Sequence, residues 1–321
     1  MEKLKNMKTE EKREKLKIVF VGIPDMAIVC LNELLENKFD IAGVVPPKRN
    51  HETYAFFKNY VKGLNLNFIE YENSPNDKDC IDKIKSLNAD IGVVCSFNYL
   101  LKKDFINSTK MGYINCHPSL LPEYRGAAPY FHIINNGEKV SGITLHFIDE
   151  EFDKGDIVYQ EVFDLTPYET MGTIFNRSNY MIADALVKVL NEIQSKGEIK
   201  RTPQPKENTF KQAPKVDGNF RVRWNVASVF EIERLIRACN PFYNAFGTFR
   251  GVNFKIINAH AVECKHDMEF GRIFKANEKQ LLIACKGGLL DVKTMHLGTW
   301  GYFGAEEFYY MFTPKDDEYL I

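Results

Sequence analysis

The feature that most constrains the fold of this 321-residue chain is a series of short apolar runs separated by segments with helical spacing. Residues 17–22 (KIVFVG) and 91–95 (IGVVC) are two such runs, and Leu31, Leu34 and Leu35 follow the first one at helical spacing. A run that is apolar throughout is typical of a strand buried on both faces. Strands that alternate with helices favour parallel βαβ units. We therefore predict an α/β domain with a doubly wound, mostly parallel, Rossmann-like sheet, with further strands at 41–45, 68–69, 113–117, 143–148 and 157–162.

The pattern changes after residue 199. The stretch 200–219 is polar and contains Pro203, Pro205 and Pro214, which is typical of a linker. Short strands predicted beyond it, with turn-forming residues between them, indicate a small, OB-like antiparallel β-barrel. The predicted layout is a charged flexible tail at 1–16, the α/β domain at 17–199, the linker at 200–219 and the barrel at 220–321.

Composition excludes several classes of protein. The formal net charge of −1 argues against a strongly cationic nucleic-acid binder. The chain has no run of eighteen apolar residues, and its charged N-terminus has no apolar core, so we expect neither a membrane-spanning helix nor a secretory signal. Seven cysteines without a Cys-x-x-Cys pair are typical of free thiols in a reducing compartment. We expect a cytoplasmic protein with no metal site and no membrane partner.

Polar side chains follow the strand at 113–117, at the sheet edge where ligands bind in this architecture. Strand alternation points Asn115 and His117 to one face and turns Cys116 towards the core as a buried thiol. The acidic segment 149–156 lies between two predicted strands, and a carboxylate there can return to the same edge and favour an imidazolium. These residues alone leave a structural and a catalytic interpretation open. The first strand ends in GIPD, which lacks the glycine fingerprint of a dinucleotide-dependent oxidoreductase.

Four motifs together resemble the 10-formyltetrahydrofolate-dependent formyltransferases, and the resemblance extends from about residue 16 to the end of the sequence. Residues 221–224 (RVRW) and 237–242 (RACNPF) resemble the start of the C-terminal domain of this family. The four motifs, in family order and spacing, are 115–122 (NCHPSLLP), 125–129 (RGAAP), 142–146 (GITLH) and 153–157 (DKGDI).

The resemblance implies a catalytic trio of Asn115, His117 and Asp153. In such a site an amine attacks the formyl group of 10-formyltetrahydrofolate, Asn115 and His117 donate hydrogen bonds to the oxyanion, and Asp153 helps to remove the amine proton. Neither a metal nor a covalent nucleophile is implied. The family also implies an acceptor set of Ser119, Arg125 and Gly126 and a folate set of Phe97, Asn98, Tyr99, Leu100, Leu101, Asp149, Glu150 and Glu151.

The amine acceptor stays open between two substrates. The run 22–27 (GIPDMA) resembles the enzymes that act on methionyl-tRNA, but the segment 45–53 is short and has one basic pair, where those enzymes carry a long basic insertion. Residues 216–321 contain thirteen basic and thirteen acidic side chains, and neutrality disfavours multiple phosphate contacts. We therefore expect a nucleotide-linked amino sugar, with initiator methionyl-tRNA as the alternative. A formyl-folate hydrolase and a non-catalytic binding module remain further alternatives, and the oligomeric state is open.

Overall fold

The computed structural model describes residues 15–207, 209–315 and 317–321. The predicted tail at 1–16 lies outside this part apart from Lys15 and Leu16, and the Leu16 side chain is buried. The described residues form two compact units. The first consists of residues up to 122, 143–161 and 179–209, and the second of residues 123–142, 162–178 and 210–321. The units interleave along the chain, and the domain boundaries at 17–199, 200–219 and 220–321 stay a prediction.

A six-stranded sheet carries the order β2-β1-β3-β4-β5-β6. Strands β2, β1, β3 and β4 run parallel, and β5 pairs antiparallel with β4. The predicted α/β fold with a mostly parallel sheet is therefore confirmed. The strands are β1 (Lys17–Gly22), β2 (Asp40–Val45), β3 (Ile91–Cys95), β4 (Tyr113–His117), β5 (Val140–Phe147) and β6 (Ile157–Asp164).

The strand predicted at 68–69 is wrong in extent. Phe68 forms a single parallel bridge to Val44, where Val44 donates its N–H to the carbonyl of Asn67 and accepts one from Ile69. A segment of two residues is long enough for a single β-bridge but too short for a ladder of several. The helices that accompany the sheet are α1 (Met26–Glu36), α2 (Tyr54–Gly63), α3 (Lys78–Ser86), α4 (Lys103–Ile106), α5 (Pro129–Asn135) and α6 (Met171–Lys196).

Helix α1 lies close against the sheet because β1 ends in glycine. A Cβ at Gly22 would lie 2.7 Å from the Cβ of Ala27 and 2.9 Å from the carbonyl oxygen of Cys95, closer than real Cβ contacts. Leu31 and Leu34 of the helix are fully buried. Each such side chain stabilises the fold by about 1.5–3 kcal/mol relative to the exposed state. The close approach fixes the carboxyl ends of β1 and β3.

The second unit contains an antiparallel sheet of order β7-β8-β11-β10-β9, with β12 paired to β11. Helix α7 begins with a capping box: Ser228 accepts from the N–H of Glu231, and the Glu231 carboxylate accepts from the N–H of Ser228. This helix was not predicted, although the spacing of Ser228 and Glu231 is its sequence signature. The elements are α7 (Val229–Cys239), β7 (Ala245–Phe249), β8 (Val252–Glu263), β9 (Ile273–Asn277), β10 (Gln280–Cys285), β11 (Gly288–Leu297), β12 (Gly301–Phe303) and α8 (Ala305–Phe312).

Residues 318–321 close this sheet into a barrel. Thr248 of β7 exchanges two backbone hydrogen bonds with Ile321, at 2.5 and 2.8 Å. On the other edge, Ile273 of β9 donates to the carbonyl of Glu318, and Leu320 donates to the carbonyl of Gly271 just before β9. The segment therefore bonds both edge strands, and the predicted OB-like barrel is confirmed.

Candidate functional site

The carboxamide, imidazole and carboxylate of the predicted trio meet at the carboxyl end of β4. His117 is the last residue of this strand and is 4% exposed. Asp153 lies in the loop between β5 and β6, and its Oδ1 is 3.6 Å from Nδ1 of His117. The same oxygen is 3.8 Å from Nε2 of His146. One carboxylate oxygen thus faces two imidazoles, each just beyond hydrogen-bond length.

His146 is a member of this cluster that the sequence-based site prediction missed. It lies directly opposite Asn115 in the antiparallel β4–β5 pair. Its Nδ1 is 2.8 Å from the carbonyl oxygen of Phe147, which can only accept, so we assign the proton to Nδ1. Nε2, which carries no proton in this tautomer, then accepts a hydrogen bond from the amide nitrogen of Asn115 at 3.0 Å. The GITLH motif contains His146, but its contact depends on strand register, which the motif does not give.

The Asp153 loop is held by backbone geometry and by one distant glutamine. Asp153 has a left-handed φ of 56°, a conformation that Asp adopts more readily than most residues. The side-chain amide of Gln204 donates to the carbonyls of Asp153 and Gly155 at 3.0 and 2.8 Å. A Cβ at Gly155 would lie 1.8 Å from the carbonyl oxygen of Phe147, so only glycine fits there. These contacts fix the position of the Asp153 carboxylate.

The segment after β4 is pinned by two polar side chains. The Thr144 hydroxyl donates to the carbonyl of Ser119 at 2.6 Å and accepts the N–H of Leu121 at 3.1 Å. Gln160 donates to Thr144 Oγ1 and to the carbonyl of Leu121. Because Thr144 also lies opposite His117 in the sheet, this network links the position of the His117 backbone to the following loop.

A cavity of about 60 Å³ opens beside Asn115, His146 and Asp153. Its walls include Phe152, whose side chain is 58% exposed. A larger cavity of about 450 Å³ lies in the second unit, but its lining contains none of the trio. The smaller cavity is therefore the candidate site.

Six of the eight predicted folate-binding residues line this cavity. Phe97 and Tyr99 contribute aromatic rings whose centroids are 5.6 Å apart. Asn98 and Glu150 are not among the lining residues and are exposed. Flat aromatic walls next to carboxylates fit a pterin, which has a planar ring and several N–H donors. The six are Phe97, Tyr99, Leu100, Leu101, Asp149 and Glu151.

The predicted acceptor residues lie in both units. Ser119 belongs to the first unit and is fully buried, while Arg125 and Gly126 belong to the second. Arg125 is 4% exposed, and its carbonyl accepts the N–H of Ala213 at 2.7 Å. Their role in acceptor binding stays a prediction.

Cys116 lies between Asn115 and His117 in the strand, and its side chain is buried. Its Sγ is 3.5 Å from Sγ of Cys95 in the neighbouring strand. Burial raises its pKa well above the usual value, which disfavours the nucleophilic thiolate. Cys116 is therefore a core thiol. Within residues 15–207, 209–315 and 317–321, no His, Cys, Asp and Glu side chains cluster in a way that could hold a metal ion. Over the same residues, no helix is long and apolar enough to cross a membrane.

Two family models match this chain. The model described as "Formyl transferase" matches residues 16–190, and "Formyl transferase, C-terminal domain" matches residues 216–310. The methionyl-tRNA formyltransferase of Clostridioides difficile (strain 630) is 32% identical over 287 residues, which cover 88% of this chain and 92% of the relative. That of Flavobacterium johnsoniae is 31% identical over 295 residues, with the same coverage.

Solved structures with the same fold include two N-formyltransferases. WlaRD, a sugar 3N-formyl transferase solved with dTDP and 5-N-formyl-THF, superposes with a TM-score of 0.65 and 22% identity over 87% of this chain and 97% of that one. The N-formyltransferase from Helicobacter canadensis, solved with folinic acid and dTDP-3-aminofucose, gives a TM-score of 0.62 and 20% identity over 86% and 98%. At these identities the likeness establishes the fold.

Proposed function

This chain belongs to the formyl transferase family, and from that premise we propose that it transfers the formyl group of 10-formyltetrahydrofolate to the amino group of methionyl-tRNA. The observation that carries the choice of acceptor is the set of relatives at 31–32% identity over 88% of this chain, which are methionyl-tRNA formyltransferases. The expected preference for an amino sugar is not confirmed, and the relatives favour the alternative.

Asn115 and His117 are proposed to stabilise the oxygen that gains negative charge when the amine adds to the formyl carbon. The Asn115 amide has two N–H bonds, and His146 accepts one of them. The other is then free to point along the face of the strand that it shares with His117. One such donor contributes about 3 kcal/mol to acyl-transfer catalysis. The His117 imidazole supplies a second donor through a ring N–H.

Asp153 is proposed to orient the His117 imidazole and to take the proton of the attacking amine. Its Oδ1 is 3.6 Å from His117 Nδ1, and both side chains are largely buried. The second carboxylate oxygen supplies the base, directly or through a water. Collapse of the adduct then breaks the bond between the formyl carbon and the folate nitrogen, which takes up this proton and leaves as tetrahydrofolate.

The folate is proposed to bind in the cavity beside Phe97, Tyr99 and Phe152, and it supplies the formyl carbon. Asp149 and Glu151 lie on the same wall as acceptors for N–H groups of the ring. Asp149 already accepts the N–H of Glu151 at 2.9 Å, which holds the loop in place. Phe152 lines the same cavity and is exposed, so its ring is available to contact the pterin.

A nucleotide-linked amino sugar is the second candidate acceptor. One feature of this chain favours it: the segment 45–53 is short, and its basic residues are Lys48 and Arg49, apart from one histidine. A short loop offers few phosphate contacts to a tRNA acceptor stem.

Competing assays of the two acceptors test the proposal. Purified enzyme with 10-formyltetrahydrofolate is given initiator methionyl-tRNA or a panel of amino-sugar nucleotides, and formylated product is measured by mass spectrometry. We expect kcat/KM for the tRNA to exceed that for every sugar by at least about a hundredfold. This ratio corresponds to a difference of about 2.7 kcal/mol in activation free energy. Preferential formylation of a sugar would refute the tRNA assignment. Fast formate release without any acceptor would instead identify a hydrolase.

A further inference from the structure

The second unit contains a cavity of about 340 Å³ that the formyl transfer site does not use. One wall is a stripe of α7: Phe230, Glu233, Arg234 and Arg237 recur at helical spacing and line the cavity. The other walls are two loops, at 137–139 and 165–169, joined by a hydrogen bond from the N–H of Leu165 to the carbonyl of Lys139. This volume lies within the range of small-molecule sites.

The carboxylates and the cations that line this cavity differ in whether they form ion pairs. Its three carboxylates have partners outside the lining: Glu138 pairs with Lys211, Glu169 with Arg177, and Glu233 accepts the N–H of Ala261. The three cations of the lining, Lys139, Arg234 and Arg237, form no ion pair with any carboxylate among the described residues. Glu138 and Glu169 thus have ion-pair partners outside the lining, whereas Glu233 interacts electrostatically with Arg237 and lies 3.9 Å from Nδ1 of His260. No carboxylate of the described residues lies within 4 Å of a charged nitrogen of Lys139, Arg234 or Arg237.

Among the three cations, Arg237 has a buried side-chain nitrogen that lacks a hydrogen-bond acceptor in the described residues. Its Nε–H is buried and has no acceptor within the described part of the chain, while one terminal nitrogen donates to the carbonyl of Glu169 at 2.9 Å. A buried donor without an acceptor is unfavourable, and an anion in the cavity would satisfy it. Burial also lowers the pKa of Arg237, and a bound anion would offset that effect.

The Arg234 side chain packs closely against the loop at Gly137. Gly137 has a φ of 74°, and a Cβ there would lie 3.0 Å from Cδ of Arg234. The Nε of Arg234 donates to the carbonyl of Asn135 at 3.1 Å, which leaves its terminal nitrogens for a ligand. The apolar part of the lining includes Phe230, which is 41% exposed, and Leu165.

We propose that this cavity binds a nucleoside monophosphate, with the phosphate on Lys139, Arg234 and Arg237 and the base against Phe230. A phosphate dianion matches three unpaired cations better than a carboxylate does, and guanidinium groups bind its oxygens in pairs. The cavity is larger than a phosphate ion requires, which leaves room for a nucleoside. An aromatic side chain such as Phe230 can stack on any of the bases. A second cavity of about 140 Å³, which shares Pro167 and Arg237, extends the space towards Tyr168.

Calorimetric titration of the full-length enzyme, without formyl donor or acceptor, tests this site with AMP, adenosine and inorganic phosphate. We expect AMP to bind at least tenfold more tightly than either of the other two. Lys139→Gln and Arg234→Gln should each weaken AMP binding at least tenfold, while Phe230→Ala should weaken AMP and leave inorganic phosphate unchanged. Lys139 is exposed, so its variant keeps the test valid if Arg234→Gln unfolds.

Arg223→Gln is the matched control, because Arg223 is exposed in the same unit and does not line this cavity. It should bind AMP like the unmodified protein. The proposal is overturned if AMP does not bind at millimolar concentration, if Lys139→Gln binds AMP normally, or if Arg223→Gln weakens binding as much as the cavity variants. Because the readout is binding alone, such a result leaves the proposed formyl transfer untouched.

Discussion

The side-chain amide nitrogen of Asn115 lies 3.0 Å from Nε2 of His146, and this contact fixes which end of the carboxamide faces the imidazole. Since Nδ1 of His146 is held by the carbonyl of Phe147, the ring presents an acceptor to Asn115. The amide oxygen is thereby turned away, and an N–H is left for the reacting oxygen.

We expect His146→Ala to reduce kcat by roughly tenfold to a hundredfold with little change in KM, because the carboxamide loses its orientation. This is less than the roughly 10²–10³-fold cost of removing an oxyanion donor outright. His146→Gln, whose carbonyl can accept from Asn115, should recover part of the loss. Steady-state kinetics with His132→Ala as the control checks this. Normal turnover of His146→Ala would show that the contact is only structural.

The carboxylate of Asp153 is tested by the isosteric substitution Asp153→Asn. Loss of the base and of the charge facing His117 should reduce kcat by about 10²-fold or more, within the range of general acid–base catalysis. Asp156→Asn, in the same loop, should stay near normal, because among the described residues Asp156 forms a hydrogen bond through its backbone carbonyl, which accepts the N–H of Phe147, and not through its carboxylate. Equal activities of the two variants would contradict the assigned role.

Gly155→Ala tests whether the loop geometry positions that carboxylate. The added Cβ would meet the carbonyl oxygen of Phe147 at 1.8 Å, so the loop must shift. We expect a stability loss of about 1–3 kcal/mol, typical of overpacking, with a fall in kcat. Gly63→Ala, where an added Cβ meets nothing within 4 Å, is the control. Chemical denaturation and kinetics on both variants measure the effects.

A fragment spanning residues 200–321 should not fold cooperatively. The hydrophobic cluster of the second unit includes Phe131 and Ile134 of α5 and Ile174 of α6, packed with residues such as Ile232 and Ile236 of α7. The fragment lacks the first three and exposes the surface that they cover. Calorimetry should show no sharp transition, whereas the full chain melts cooperatively. A cooperative transition in the fragment would show that the barrel is self-sufficient.

The Arg250–Glu318 pair is expected to make barrel stability depend on pH. Its hydrogen bond lowers the pKa of Glu318 to about 2, below the usual value of the unfolded chain. A lowered folded-state pKa stabilises the fold above the unfolded pKa, and the effect is lost as pH falls towards 2. The Tm difference between the natural chain and Glu318→Gln should be constant from pH 7 to about 5 and then shrink. Glu306→Gln serves as the exposed control, and a pH-independent difference would exclude the pair.

The sheet and half of the site follow from local patterns. Apolar runs located the strands, and alternation placed Asn115 and His117 on one face. The return of Asp153 to that face depends on a loop whose course no local pattern specifies, and it came from the family resemblance. His146 was missed because its contact with Asn115 requires the β4–β5 register. The stripe of α7 is visible in the sequence as Phe230, Glu233, Arg234 and Arg237, but the loops that complete the cavity are distant in the chain.

The closure of the barrel by residues 318–321 also sets the order in which the barrel can form during synthesis. Strand β7 leaves the ribosome long before Ile321, so its unpaired N–H and C=O groups wait for a partner that has not yet been made. During that interval a neighbouring nascent chain can occupy the vacant edge. The edge of β7 is therefore most open to wrong pairing in the interval between the synthesis of β7 and that of residues 318–321.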